Sequence, residues 1–92
     1  MAVVFILHRV RDYDTWRRVY DSDKVAELWK KGGVTSQAVY RAEGDPNNVL
    51  VFHQFSTPDQ AHAFMSNPEL QQAMGEGGVE EGTLRAEFFE EA

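Results

Sequence analysis

The sequence predicts a single α+β domain in which strands and helical segments follow the order β-α-β-β-α-β. Three observations carry this prediction: short apolar or alternating runs typical of strands, apolar residues at helical spacing between them, and a dense turn signal between the second and third strands. Right-handed crossovers in both halves then produce an antiparallel four-stranded sheet with helices on one face, the ferredoxin-like arrangement, over residues 1–92.

The first half of the chain opens with the run Val3 to His8, whose β-branched and aromatic residues predict a strand. Asp12 then begins a helical segment with two apolar stripes at i, i+3, i+4 spacing. The stripes are Trp16, Val19, Tyr20 and Val25, Leu28, Trp29. On one straight helix they would lie about 180° apart, so one stripe would be exposed. We therefore predict a break at residues 21–23 and two helices, over residues 13–21 and 23–31.

The second half begins with a predicted hairpin. Residues 34–43 and 49–55 have the composition of strands, and the turn residues Gly44-Asp45-Pro46-Asn47-Asn48 lie between them. Residues 83–89 alternate, with Leu84 and its i+2 neighbours on one side, as a half-buried last strand would.

Two short helices are predicted between the hairpin and the last strand. Thr57 precedes Pro58, and Asn67 precedes Pro68, so each pair places an N-cap residue before a proline at the first helical position.

Composition and charge exclude several kinds of function. Lys and Arg number 9 against 15 Asp and Glu, which gives a net charge of −6. A protein needs a basic face to bind nucleic acid or an anionic membrane surface, so we expect neither partner. Without cysteine there is no disulfide, thiolate metal site or thiol nucleophile. The N-terminal apolar run is too short for a signal sequence or a membrane span, and we expect a cytoplasmic protein.

The predicted sheet has one face without helices, and we expect a second copy of the chain to cover it. The chain has 6 Phe, 3 Tyr and 2 Trp, which is many for a core this small. We assign Val4, Ile6, His8, Arg85 and Phe89 to the uncovered face, which is too apolar to remain in water. The expectation is a homodimer that packs through its sheet faces.

Three segments resemble a known superfamily. They are His8-Arg9-Val10-Arg11-Asp12-Tyr13-Asp14-x-Trp16, the turn Gly44-Asp45-Pro46-Asn47, and Ala61-x-Ala63-Phe64-x-Ser66-x-Pro68-Glu69-Leu70-x-x-Ala73-Met74. The chain resembles the dimeric α+β barrel proteins, and within them the small relatives of the antibiotic biosynthesis monooxygenases (ABM-like). Where the monooxygenase branch often has a histidine, this chain has Phe64, with His62 two residues out of register.

The resemblance implies a homodimer whose two sheets form a barrel around a cavity. Members of the superfamily include cofactor-free quinone-forming monooxygenases, polyketide cyclases, muconolactone isomerases and haem-degrading enzymes.

His8 is the candidate general base. We expect Val3, Phe5 and Leu7 to face the helices, which would point His8 into the barrel, where a neutral imidazole could deprotonate a phenol or an enol. The alternative is a strand-end histidine that is hydrogen-bonded to backbone.

Four further strand residues are candidate ligand-binding residues. They are Tyr40, His53, Gln54 and Arg85. Polar tips of this kind orient a ligand in a mostly apolar site. His53 could instead be a core or interface histidine, and Arg85 could simply pair across strands. We expect His62 at the surface. No histidine pair has metal-ligand spacing and no cofactor motif is present, so neither a metal nor a cofactor is expected.

The leading hypothesis is a homodimeric barrel that binds an apolar, aromatic or polyketide-like compound, with cofactor-independent monooxygenase activity. Cyclisation or isomerisation by the same base is an alternative within the enzymes. A non-catalytic binding or structural dimer is the alternative outside them.

Overall fold

The chain forms four strands and four helices in the order β-α-α-β-β-α-α-β, and the computed structural model describes residues 1–92. They are β1 (Ala2–Arg9), α1 (Tyr13–Tyr20), α2 (Asp23–Gly32), β2 (Ser36–Ala42), β3 (Asp45–Phe55), α3 (Pro58–Met65), α4 (Pro68–Glu76) and β4 (Arg85–Glu90). The strands form one antiparallel sheet in the order β2-β3-β1-β4. This is the predicted ferredoxin-like α+β fold, with each crossover built as a pair of helices.

The first crossover breaks between Tyr20 and Asp23, as predicted. Ser22 is the N-cap of α2, and its side chain accepts a hydrogen bond from the backbone N–H of Val25. The helix ends at Gly33, whose φ of 81° lies in the left-handed region that glycine adopts at low cost. The break turns the second apolar stripe back to the sheet, so Trp16, Tyr20, Val25 and Leu28 are all buried.

The second crossover also has the predicted caps. The Thr57 side chain accepts from the backbone N–H of Gln60, whose side chain accepts from the backbone N–H of Thr57, so the two form a capping box. Asn67 caps α4 by accepting from the backbone N–H of Glu69. No helix is long and apolar enough to cross a membrane.

The hairpin turn is shorter than predicted. The structure turns at Glu43-Gly44, with φ of 75° at the glycine, and β3 already begins at Asp45. Asn47 explains the difference, because its backbone oxygen accepts from the N–H of Val10 and its side chain accepts from the N–H of Tyr13, each at 2.9 Å. These bonds hold a segment rich in turn residues in extended form.

The helices cover the sheet face that carries Val4, Ile6 and His8, which corrects our assignment of the two faces. These β1 residues are buried against the helices, whereas Val3, Phe5 and Leu7 lie on the other face. Both faces of β1 carry mostly apolar residues. The alternation of side chains along the strand therefore separates the two faces but does not show which one the helices cover.

Candidate functional site

The face of the sheet without helices, called the open face below, is a grid of side chains from all four strands. The strand register places them in three rows: Ser36, Gln54, Val3, Phe89; then Ala38, Phe52, Phe5, Glu87; then Tyr40, Leu50, Leu7, Arg85. The centre of the grid is therefore apolar, and the polar side chains lie toward its edges.

Aromatic rings extend from the middle of the open face to its β4 edge. The ring of Phe5 lies 5.5 Å from that of Phe52 and 5.7 Å from that of Phe89, measured between centroids. Phe89 is 49% exposed and Tyr40 is 57% exposed. An apolar patch of this kind in contact with water marks an interaction or ligand surface.

Three of the predicted ligand-binding residues, Tyr40, Gln54 and Arg85, lie on the open face. Tyr40 and Arg85 stand at opposite edges of the same row, and Gln54 lies at the other end of the grid. A shallow cavity of about 130 Å³ is lined by Phe5, Leu7, Leu50, Arg85 and Glu87. Nη2 of Arg85 lies 3.5 Å from Oε1 of Glu87, so this cavity has both charges on its rim.

His8 does not lie on the open face, contrary to our expectation for a base that points into the barrel. It is 4% exposed, and its ring lies 5.6 Å from that of Trp16 on the helix side of the sheet. Burial lowers the pKa of its imidazole, which keeps the ring neutral. The cavity of the open face is not lined by His8.

His53 is also on the helix side, 2% exposed, within a buried hydrogen-bonded group. Its Nε2 lies 3.2 Å from the hydroxyl oxygen of Tyr20, which donates its own proton to Oε1 of Gln37. Because the hydroxyl proton of Tyr20 is already donated to Gln37, the Nε2–H of His53 is the donor to the Tyr20 oxygen. The buried Nδ1 of His53 has no hydrogen-bond partner. Burial lowers the pKa of His53 to about 4 and raises the pKa of Tyr20.

The two buried histidines are separated along the sheet. His8 pairs with Val49, whereas His53 pairs with Val4, so their rows are about 13 Å apart at about 3.3 Å per residue. They share no ligand position, and no group of three or more His, Asp or Glu side chains is arranged to hold a metal ion.

His62 is exposed, as expected, but its contact with Phe88 was missed by our reading of the sequence. The imidazole stacks on the phenyl ring with 4.0 Å between centroids and 19° between planes. Both residues line a cleft of about 200 Å³ between α3 and β4. The alternation of residues along β4 places Phe88 on the helix side, and this pattern was the signal in the sequence that could have predicted the contact.

Comparison with solved structures places the fold among the antibiotic biosynthesis monooxygenases. A protein of Caulobacter crescentus CB15 assigned to them superposes with a TM-score of 0.76 at 14% identity, covering 99% of this chain and 89% of that one. SnoaB, a cofactor-independent oxygenase from Streptomyces nogalater, superposes with a TM-score of 0.74 at 13% identity, covering 99% and 93%. Similarity at this level of identity shows a shared fold, so the predicted ABM-like fold is confirmed.

A third solved structure, from Nitrosomonas europaea and assigned to the same monooxygenases, has a TM-score of 0.73 at 9% identity, covering 99% of this chain and 98% of that one. No curated protein matches the sequence. A family model matches residues 3–89, which is nearly the whole chain. The chain therefore belongs to the family described as "Domain of unknown function (DUF3764)".

Proposed function

We propose that the chain acts as a homodimer in which two open faces pack together around an aromatic or polyketide-like small molecule. The observation that carries this proposal is the uncovered cluster of Phe5, Phe52 and Phe89. Phe5 and Phe52 are half-buried and Phe89 is 49% exposed, so covering the remaining exposed area of these rings in two copies favours association.

The polar residues of the open face would orient the ligand. The cavity beside Arg85 is small in the single chain, about 130 Å³, and a second copy would close over it. Its apolar floor suits a planar ring system, and the guanidinium of Arg85 suits an acidic phenol or enolate oxygen at the rim. Tyr40 and Gln54 would supply hydrogen bonds at the far edges of the grid.

The activity that we propose is cofactor-independent oxygenation. The fold shared with SnoaB, a cofactor-independent oxygenase, supports it. A substrate methylene next to a carbonyl would lose a proton to the carboxylate of Glu87, which lines the cavity. The resulting carbanion would reduce O₂ and combine with it as a hydroperoxide, and loss of water would leave a new carbonyl group. One O₂ is consumed for each water released.

Oxygen uptake with dithranol, an anthrone, tests this proposal. We expect the protein to accelerate both O₂ consumption and formation of the anthraquinone, and Glu87→Gln to lower the rate at least about tenfold. Glu27→Gln, which changes an exposed carboxylate on α2, is the matched control.

Measuring the binding of the anthrone together with O₂ consumption distinguishes an oxygenase from a binding protein without activity. Saturable binding of the anthrone without O₂ consumption would contradict the oxygenase and support a binding protein. A rate no higher than in buffer, together with no binding, would contradict both the activity and the ligand class.

A further inference from the structure

A second cleft lies at the edge of the sheet, where the beginning of α3 faces β1 and β4. It has a volume of about 200 Å³, and five of its eight lining residues are hydrophobic, among them Ala2, Ala61 and Phe88. Drug-sized ligands occupy about 300–1,000 Å³, so a cleft of this size suits a compound of one or two rings. It is present in the single chain and shares no lining residue with the Arg85 cavity, although two of its lining residues, Val3 and Phe89, belong to the open face.

The wall of this cleft is a pair of stacked rings. His62 lies off the buried stripe of α3, which is formed by Ala61 and Phe64, and its imidazole is instead held parallel to Phe88. Phe88 remains 37% exposed, although it lies on the helix side of β4. Stacked rings that stay accessible favour another planar ring, because offset or edge-to-face aromatic pairs contribute about 0.5–1.5 kcal/mol beyond area burial.

The charged side chain that lines the cleft indicates which polar group the ligand should carry. Glu90 is one of its lining residues, and no lysine or arginine is among them. The net charge of the chain is −6, so the surrounding potential also favours a cation. We propose that the cleft binds a planar aromatic amine, with its ring against the His62–Phe88 stack and its ammonium group toward the carboxylate of Glu90.

Tryptamine is a suitable probe, with indole-3-acetate as the matched anion. NMR spectra of the full chain, with His and Phe side chains labelled, should show saturable shifts of His62 and Phe88 on addition of tryptamine, with a Kd below about 1 mM. The acetate should bind at least about threefold more weakly. Equal affinities for tryptamine and indole-3-acetate would contradict the proposed contact between the ammonium group and Glu90. No shift of His62 or Phe88 at up to about 5 mM tryptamine would contradict the binding site itself.

Two variants and one control test the residues that carry the inference. Phe88→Leu keeps an apolar side chain but removes the stack, and it should weaken tryptamine about three- to tenfold. Glu90→Gln should weaken tryptamine about two- to fivefold and leave indole-3-acetate no weaker. Glu91→Gln, one residue further along, is the control and should bind as the unaltered chain does. Unchanged binding in Phe88→Leu would contradict the stacking role.

The result is separable from the proposed oxygenase. Phe52→Glu alters the centre of the open face and leaves the lining of the cleft untouched. This variant should therefore bind tryptamine with unchanged affinity even where it forms no dimer. Loss of tryptamine binding in Phe52→Glu would show that the cleft depends on the dimer and would overturn its independence.

Discussion

Tyr20 and His53 join the first crossover to the centre of the sheet through a hydrogen bond that is buried on the helix side. The Tyr20 hydroxyl oxygen lies 3.2 Å from Nε2 of His53, and both residues are less than 10% exposed. Three further rings pack around His53, those of Trp29, Phe55 and Phe64. A histidine that looks like a ligand-binding residue in the sequence is therefore part of the core in the fold.

Tyr20→Phe should destabilise the protein by about 1–3 kcal/mol, because it leaves the buried Nε2–H of His53 without an acceptor. Urea denaturation at a fixed protein concentration measures the change. Tyr13→Phe is the control, since the Tyr13 hydroxyl makes only a 3.5 Å contact with Arg17 and should cost less than about 0.5 kcal/mol. Equal losses in the two variants would contradict the buried bond.

Stability should fall as the pH drops from about 6.5 toward 4. The folded pKa of His53 is about 4, below the ordinary value of 6.5, so the unfolded chain takes up the proton first. The full shift corresponds to about 3 kcal/mol, and His8 adds a change of the same sign.

Denaturation curves at pH 7 and pH 5 measure this dependence. His53→Leu should remove most of it, whereas His62→Ala, at an exposed position, should retain it. A free energy of unfolding that is equal at the two pH values would show that the buried histidines do not govern acid stability.

Two helical glycines should respond in opposite directions to alanine. A Cβ at Gly32 would lie 2.5 Å from a ring carbon of Phe64, which is itself buried, so Gly32→Ala should cost about 1–3 kcal/mol. A Cβ at Gly75 meets no atom within 4 Å, so Gly75→Ala in α4 should stabilise by about 0.5–1 kcal/mol. Thermal melts of the two variants are the measurement, and stabilisation by Gly32→Ala would contradict the close packing of α2 on α3.

The element order and the helix breaks were predictable because local chemistry determines them. The caps Ser22, Thr57 and Asn67 use hydrogen bonds within three residues, so the sequence near each cap contains all the necessary information. The start of β3 was not predictable, because Asn47 is held extended by partners some 34 residues earlier in the chain. At this point tertiary hydrogen bonds hold residues of turn-like composition in an extended strand.

The candidate site was predicted in part. Arg85 was assigned to the open face, where the structure has it, and the candidate ligand-binding residues Tyr40 and Gln54 also lie there. His8 was assigned to the open face and His53 was a candidate ligand residue, but both are buried on the helix side. Their faces were not predictable, because β1 and β3 are apolar on both faces and alternation alone cannot distinguish the covered side. The folded structure distinguishes them, because Val4, Val51 and Phe55 are buried against the helices and Phe5 lies on the open face.

Phe52→Glu should abolish the proposed dimer while the chain stays folded. The substitution places a carboxylate at the centre of the open face, and burying an unpaired charge there would raise the dimer Kd at least about 100-fold. Far-UV circular dichroism checks the fold, and sedimentation velocity checks the mass. Glu27→Gln on the exposed side of α2 is the control. A dimer that persists in Phe52→Glu would place the interface elsewhere.

Sedimentation equilibrium of the unaltered chain at micromolar concentration measures the oligomeric state directly. If the open faces of two copies cover each other, the mass will be twice the 10.5 kDa of the single chain. A stable species of 10.5 kDa, with Phe5, Phe52 and Phe89 left in water, would contradict the dimer and the enclosed ligand site with it.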